Sequence, residues 1–191
     1  MKTKLFLGMI LALALWSSVW AWQQDQWVSQ RFFTTQSVWL VVLSMSVALV
    51  FGLRHRFSVL LISITTMNMV ITGSVFHLLL EVEHLHFQAH LSHTILPILM
   101  LLVFFFFLND SLTWRRFYWL LLYPFAYLSF FIVYGPTLMW YPYPFMDVSV
   151  LGLAAVLRFS LGILTPVFTG LALGLLTLQT KRQKKTAEAV R

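Results

Sequence analysis

The sequence predicts an all-α, polytopic membrane protein of six transmembrane helices with both termini in the cytoplasm, and three observations carry that expectation. The chain has 191 residues, 60% of them hydrophobic and 10% charged, with a mean hydropathy of +0.83. A chain so poor in charge cannot cover a soluble surface. Its apolar residues gather into six long stretches, and eleven of the thirteen Lys and Arg residues fall at alternate breaks between them. Lys2 and Lys4 precede the first stretch, Arg54 and Arg56 follow the second, and Arg115 and Arg116 follow the fourth. Lys181, Arg182, Lys184, Lys185 and Arg191 follow the sixth, which leaves only Arg31 and Arg158 toward the other side. Basic residues flanking spans are retained in the cytoplasm, so this alternation sets an N-in, C-in topology.

The expected spans are about 5–22, 32–53, 57–80, 91–108, 117–134 and 150–178, in one integral membrane domain with a basic, mobile cytoplasmic tail at 179–191. The net charge of +7 is spread over the cytoplasmic edges and the tail rather than gathered into a patch with aromatic platforms. That distribution speaks against nucleic acid and for membrane lipids as partners. With no cysteine, disulfides, thiolate nucleophiles and iron–sulfur ligands are excluded.

Each stretch has its own justification. The first, Leu5 to Trp22, has two readings: a signal peptide with Lys2 and Lys4 as its basic region and Val19 and Ala21 at a cleavage site, or a retained helix. Trp16, Trp20 and Trp22 suit an aromatic belt and favour retention. The second stretch is strictly apolar only over the 16 residues from Val38 to Leu53, short of the roughly 20 that span hydrocarbon. Its helix must start near Phe32, drawing Thr34, Thr35, Gln36 and Ser37 into the outer leaflet. The fourth stretch shows the same shortage from Ile95 to Leu108, so its crossing starts near His90 and takes His93 inside. Polar groups at that depth are costly unless they face the protein interior.

In the third stretch Ser58, Thr65, Asn68 and Thr72 share one helical face, expected to point into the bundle and bond across helices. His77 lies near its outer end. The fifth contains Pro124, and the outer loop after it, Gly135 to Ser149, carries Pro136, Trp140, Tyr141, Pro142, Tyr143, Pro144 and Phe145. A segment so stiff and aromatic suits either a lid over the bundle mouth or an interfacial girdle. The sixth holds Arg158 within the membrane, with Asp147 as the nearest acidic partner in sequence.

Five histidines, His77, His84, His86, His90 and His93, crowd the outer side. Offsets of four and three put His86, His90 and His93 on one helical face, a spacing that zinc or haem ligands also use, although no established metal motif is present. Metal and cofactor ligands are therefore not assigned. His93 opens His93-Thr94-Ile95-Leu96-Pro97 at the membrane entrance. A threonine hydroxyl becomes a nucleophile when a neutral imidazole takes its proton, and Thr34 and His93 share depth and side. The oxyanion that follows would need a donor such as Tyr141, Tyr143 or Arg158. The competing structural roles are a helix cap for Thr34 and an interhelical hydrogen bond for His93.

Four segments in order, Arg31-Phe32-Phe33-Thr34-Thr35-Gln36-Ser37, His93-x-x-x-Pro97, Leu122-Tyr123-Pro124-Phe125-Ala126-Tyr127 and Tyr141-Pro142-Tyr143-Pro144-Phe145-Met146-Asp147, resemble those of a bacterial six-span family often called Pr-six-Pr. That family is similar to the eukaryotic androgen-induced and androgen-dependent TFPI-regulating membrane hydrolases, which cleave fatty acid esters of hydroxy fatty acids. The resemblance runs from about Arg31 to the sixth span, and the Tyr-Pro-Tyr-Pro-Phe-x-Asp stretch is its most specific part. It implies Thr34 as nucleophile, His93 as base and a bacterial inner membrane as the location, with Thr35 the alternative nucleophile if the register slips. The chain departs from the bacterial pattern at Val38, where an Asn usually follows Gln-Ser, and at Asn109-Asp110, where Asp-Trp is usual. Two function classes therefore stand side by side: an intramembrane Thr/His hydrolase of lipid esters, and a non-catalytic lipid-binding or membrane assembly protein. A haem or metal protein is the third.

Overall fold

The computed structural model describes residues 1–79, 86–108 and 117–189. Among them there is no strand, and six helices are long and apolar enough to cross a membrane: α1 (Lys2–Ser29), α2 (Phe33–Phe51), α3 (Arg56–Leu79), α4 (Phe87–Phe107), α5 (Tyr118–Leu138) and α6 (Leu153–Lys185). The architecture is the six-helix membrane bundle the sequence predicts. Lipid offers the backbone no hydrogen-bonding partner, so each crossing closes its own ladder as a helix.

Both short apolar runs are extended upstream as helix. Phe32 is the N-cap residue of α2, which therefore begins at Phe33 and carries Thr34 and Thr35 in its first turn. On the fourth crossing the helix starts further upstream than 91, at Phe87, with His86 as N-cap. Its backbone loosens into a π-helical turn at Leu91–Ile95 and another at Val103–Phe107. In the first crossing helical geometry breaks at Asp25 and Gln26, beyond the Trp16–Trp22 segment.

Other boundaries moved. The fifth helix continues through Gly135 and Pro136 to Leu138, four residues past the expected end, so the connecting segment is shorter than the Gly135–Ser149 loop. It is filled by a 3-10 turn at Pro144–Met146 and one α-turn at Val148–Leu151. The expected mobile tail is helical as far as Ala189, because Lys, Arg, Gln, Ala and Glu are strong helix formers. Gln179, in this extension, is fully buried and its side-chain amide donates to the Phe104 carbonyl at 3.4 Å. Arg115, Arg116, Glu81, Glu83 and His84 lie outside the described residues.

The third helix is the hub, packing against α2, α4, α5 and α6, while α1 packs chiefly along α2. Met45, Ile62, Met67, Leu96, Met100 and Phe104 are fully buried at these contacts. The polar face of α3 does turn inward, with Ser58, Thr65 and Asn68 fully buried. Its bonding is sparser than expected: Thr65 donates to the Leu40 carbonyl at 3.2 Å and Thr66 to that of Met100 at 3.3 Å. Among the described residues the Asn68 amide and the Ser58 and Thr72 hydroxyls find no partner, so interhelical bonding does not explain Asn68.

Arg158 and Asp147 do not pair. The Asp147 carboxylate accepts from the Ser149 hydroxyl, which with the backbone amides of Val150 and Ser149 holds its pKa below the ordinary range and caps the Val148–Leu151 turn. Arg158 is exposed and donates from Nε to the Ala154 carbonyl one turn back. Capping satisfies the aspartate locally, at less entropic cost than fixing a long arginine side chain.

Among the described residues, basic chain breaks from the first, second and last stretches gather at one end. Thr3 beside Lys4, Arg54 and the Phe106–Phe107 end of α4 border a common surface cleft, and the Arg182 guanidinium lies 5.7 Å from the Phe106 ring centroid. At the opposite end Arg31 lies 5.5 Å over the Trp140 ring.

Candidate functional site

Thr34 stands at the second position of α2, where the backbone amides have no intrahelical carbonyl to meet. It does not cap the helix; Phe32 occupies that position without a side-chain bond. The Thr34 hydroxyl instead reaches across the bundle to His93, with Oγ1 3.1 Å from Nε2.

The imidazole is held from its other side. His93 Nδ1 lies 3.0 Å from the Ala89 carbonyl oxygen, which can only accept, so the ring proton resides on Nδ1. Nε2 is then a lone-pair acceptor, and Thr34 donates to it. Ser92 Oγ lies 3.0 Å from the same Nδ1 while donating to the Gln88 carbonyl, and accordingly offers its own lone pairs to the ring. Phe76 stacks on the imidazole with centroids 3.8 Å apart and planes 22° from parallel. The π-turn at Leu91–Ile95 surrounds His93, a distortion that recurs at functional positions in helices.

Tyr143 completes the group. Its side chain lies beside Thr34 at the start of α2 and lines both cavities that Thr34 and His93 border. Burial pushes its pKa up, which keeps the phenol protonated and able to donate. The aromatic connection is a folded plug rather than an open loop. Tyr143 and Phe145 stack with parallel rings 5.4 Å apart, Phe32 meets Trp140 and Tyr143 edge-on, and Met146 is buried. Beneath it the Tyr127 hydroxyl donates to the Arg31 carbonyl at 2.7 Å and that of Tyr123 to Gln36 Oε1.

Of the three oxyanion candidates, only Tyr143 reaches the dyad. The Tyr141 hydroxyl is buried without a partner among the described residues, and Arg158 bonds its own helix. Thr35 is buried but makes no bond to His93, so the register favours Thr34.

The histidines do not act together. His77 Nε2 lies 2.9 Å from Thr94 Oγ1, His86 and His90 are exposed, and among the described residues no three of His, Asp or Glu are grouped to hold a metal ion.

Two cavities meet at the dyad, and Thr34, Phe76, His93 and Tyr143 line both. The larger, about 420 Å³, lies between α1, α2 and α4. The smaller, about 40 Å³, is walled by α2, α3, α5 and α6. The sequence placed Thr34 and His93 at one depth but gave no sign of Ala89, Ser92 and Phe76 as supports for the ring; only the adjacency of Ser92 to His93 hinted at one of them. No family model matches the chain, and no curated protein or solved structure matches it.

Proposed function

We propose that the protein is an integral membrane hydrolase of lipid esters, with Thr34 as nucleophile and His93 as general base. The observation that carries the reading is the 3.1 Å contact from Thr34 Oγ1 to a His93 Nε2 whose tautomer is fixed by the Ala89 carbonyl. Nucleophile, base and orienting acceptor are the three parts an activated hydroxyl requires.

The chemistry follows from those positions. As Thr34 Oγ1 attacks the ester carbonyl carbon, its proton passes to Nε2, and the ring cation is stabilised through Nδ1–H on Ala89. The carbonyl oxygen becomes an oxyanion toward which the Tyr143 phenol, bordering the same cavities, can donate. Collapse of the tetrahedral species breaks the bond to the alcohol oxygen, which takes the proton back from Nε2. A water, deprotonated by the same nitrogen, then releases the carboxylic acid and restores Thr34.

The setting supports a lipid substrate, since the dyad lies within helices that suit hydrocarbon and borders two cavities. Helix α1 contributes Ser17, Ser18 and Trp20 to the larger one, so we infer that the first span is retained. The basic end of the bundle supports an N-in, C-in orientation, with the site toward the outer leaflet of a bacterial inner membrane.

The test is fluorophosphonate labelling and fatty ester hydrolysis by detergent-purified protein. Labelling and turnover lost in Thr34→Ala and His93→Ala, and kept in Thr35→Ala, is the expected result. Turnover that survives both substitutions overturns the reading. A folded wild type that neither labels nor hydrolyses, and co-purifies with lipid, makes the lipid-binding alternative the better one.

A further inference from the structure

The two cavities at the dyad differ in size and in access. The smaller measures about 40 Å³ and the larger about 420 Å³. No residue lining the smaller is exposed, and Ile71, Leu128, Leu164 and Phe168 in its walls are buried. The larger has exposed residues on its rim: Trp20 and Gln24 on α1, His86 at the N-cap of α4 and Pro144 in the aromatic plug.

Size limits what the smaller cavity can hold. One water-sized site takes roughly 10–15 Å³, so the cavity has room for about three non-hydrogen atoms. Its walls come from α2, α3, α5 and α6, and α3 packs against the other three, so widening it means parting packed helices. Interiors packed in this way resist the addition of even one methylene.

Access decides which part of the ester lies there. In the two-step hydrolysis the alcohol leaves first, taking the proton from His93 Nε2, while the acyl carbon stays bonded to Thr34 Oγ1. A water must then reach that carbon and add its hydroxyl as Thr34 regains the proton. Both movements need a path to an exposed rim, and of the two cavities the larger has one. An acyl chain in the larger cavity would stand in that path, with the alcohol shut in behind it. An acyl chain in the smaller leaves the path clear.

We propose that the smaller cavity is the acyl subsite, that it admits acyl groups of about four carbons or fewer, and that Leu164 and Phe168 set this limit. The substrate class is then a short-chain ester, such as an acetate, of a long-chain alcohol, so that the fatty part of the lipid ester is its alcohol. The assignment rests on the hydrolytic reading above. Leu164 and Phe168 lie one turn apart on α6, 4% and 6% exposed, and trimming either enlarges the cavity while Thr34, His93 and Tyr143 keep their side chains.

Two isomeric esters test the assignment. Dodecyl acetate and ethyl dodecanoate share one formula and differ in which limb is long. Detergent-purified full-length protein is expected to hydrolyse dodecyl acetate about tenfold or more faster in kcat/KM, since a single methylene too many in a pocket is already worth about that factor. Dodecyl hexanoate should be similarly poor, and Phe168→Ala should raise its kcat/KM relative to that of dodecyl acetate by about tenfold. Phe168→Leu, a smaller change in the same direction, serves if Phe168→Ala does not fold. Ethyl dodecanoate hydrolysed as fast as dodecyl acetate, or a hexanoate-to-acetate ratio that the folded variants leave unchanged, overturns the assignment and keeps the hydrolase. Folded protein that hydrolyses neither isomer overturns the hydrolytic reading and this assignment with it.

Discussion

A Cβ atom built on Gly73 would lie 3.0 Å from the His93 carbonyl oxygen and 3.6 Å from two ring carbons of Pro97. The absence of a side chain at position 73 lets α3 lie directly against the π-turn that presents His93. Close backbone approach at small residues is a general device of helix packing in membranes. Here it sets how closely α3 approaches His93, the proposed base.

Gly73→Ala should consequently act on rate before it acts on folding. Relieving a 3.0 Å approach to a backbone carbonyl needs only a few tenths of an ångström, but that movement is applied to the residue holding the base. Misplacement of a catalytic group by about 1 Å costs on the order of 10²-fold, so a loss of about tenfold in kcat is expected for this smaller shift, with helical content by circular dichroism unchanged. Wild-type kcat in Gly73→Ala would dissociate the packing from the chemistry.

In the proposed mechanism Tyr143→Phe removes one oxyanion donor and leaves the ring packing in place. Loss of such a donor costs about 10²–10³ in kcat, and the drop should come with little change in KM because the bond strengthens only in the transition state. The upward shift of the Tyr143 pKa keeps the donor proton on as pH rises. The ratio of wild-type to Tyr143→Phe rates should then hold steady to about pH 10, where an unperturbed phenol would be half ionised. A ratio that collapses below that pH contradicts this role.

The sequence made the spans legible because hydrocarbon thickness leaves few choices. A 16-residue apolar run had to be extended, and extending it toward Phe32 brought Thr34 inside. That Thr34 and His93 meet at one level of the bundle agrees with this extension. Their rotation about the helix axes could not be read, because that depends on where α3 packs, and the Gly73 contact has no signature in a stretch already rich in small residues. Nor could the end of α6 be read from hydropathy: Lys181, Arg182, Lys184 and Lys185 are charged, yet they are good helix formers and Gln179 has a bonding partner on α4. Asp147 misled for a related reason, since proximity to Arg158 in sequence lost to a capping bond two residues away.

Gly135 offers a stability test separate from the chemistry. A Cβ there would fall 2.2 Å from Tyr141 Cε1 and 2.7 Å from two more of its ring carbons. Gly135→Ala must displace the Tyr141 ring and with it the start of the aromatic plug. Overpacking of this kind costs about 1–3 kcal/mol, and it should appear as a lower thermal midpoint in detergent. Gly135→Ala with Tyr141→Ala should recover part of the loss, because the second change removes the colliding ring. An unchanged midpoint in the single variant would mean that the plug is not packed as described.

Because the chain has no cysteine, its orientation can be measured with single introduced thiols in an otherwise native protein. Met139 is 89% exposed at the end of α5, beside the plug, and Lys184 is exposed near the end of α6, at the basic end of the bundle. In intact cells Met139→Cys should react with a membrane-impermeant maleimide, and Lys184→Cys should react only after the membrane is opened. That outcome follows if the basic breaks are cytoplasmic, and it would put the Thr34–His93 pair within reach of the outer leaflet. The reverse pattern would turn the whole bundle over, making the esters of the inner leaflet the ones that reach the site.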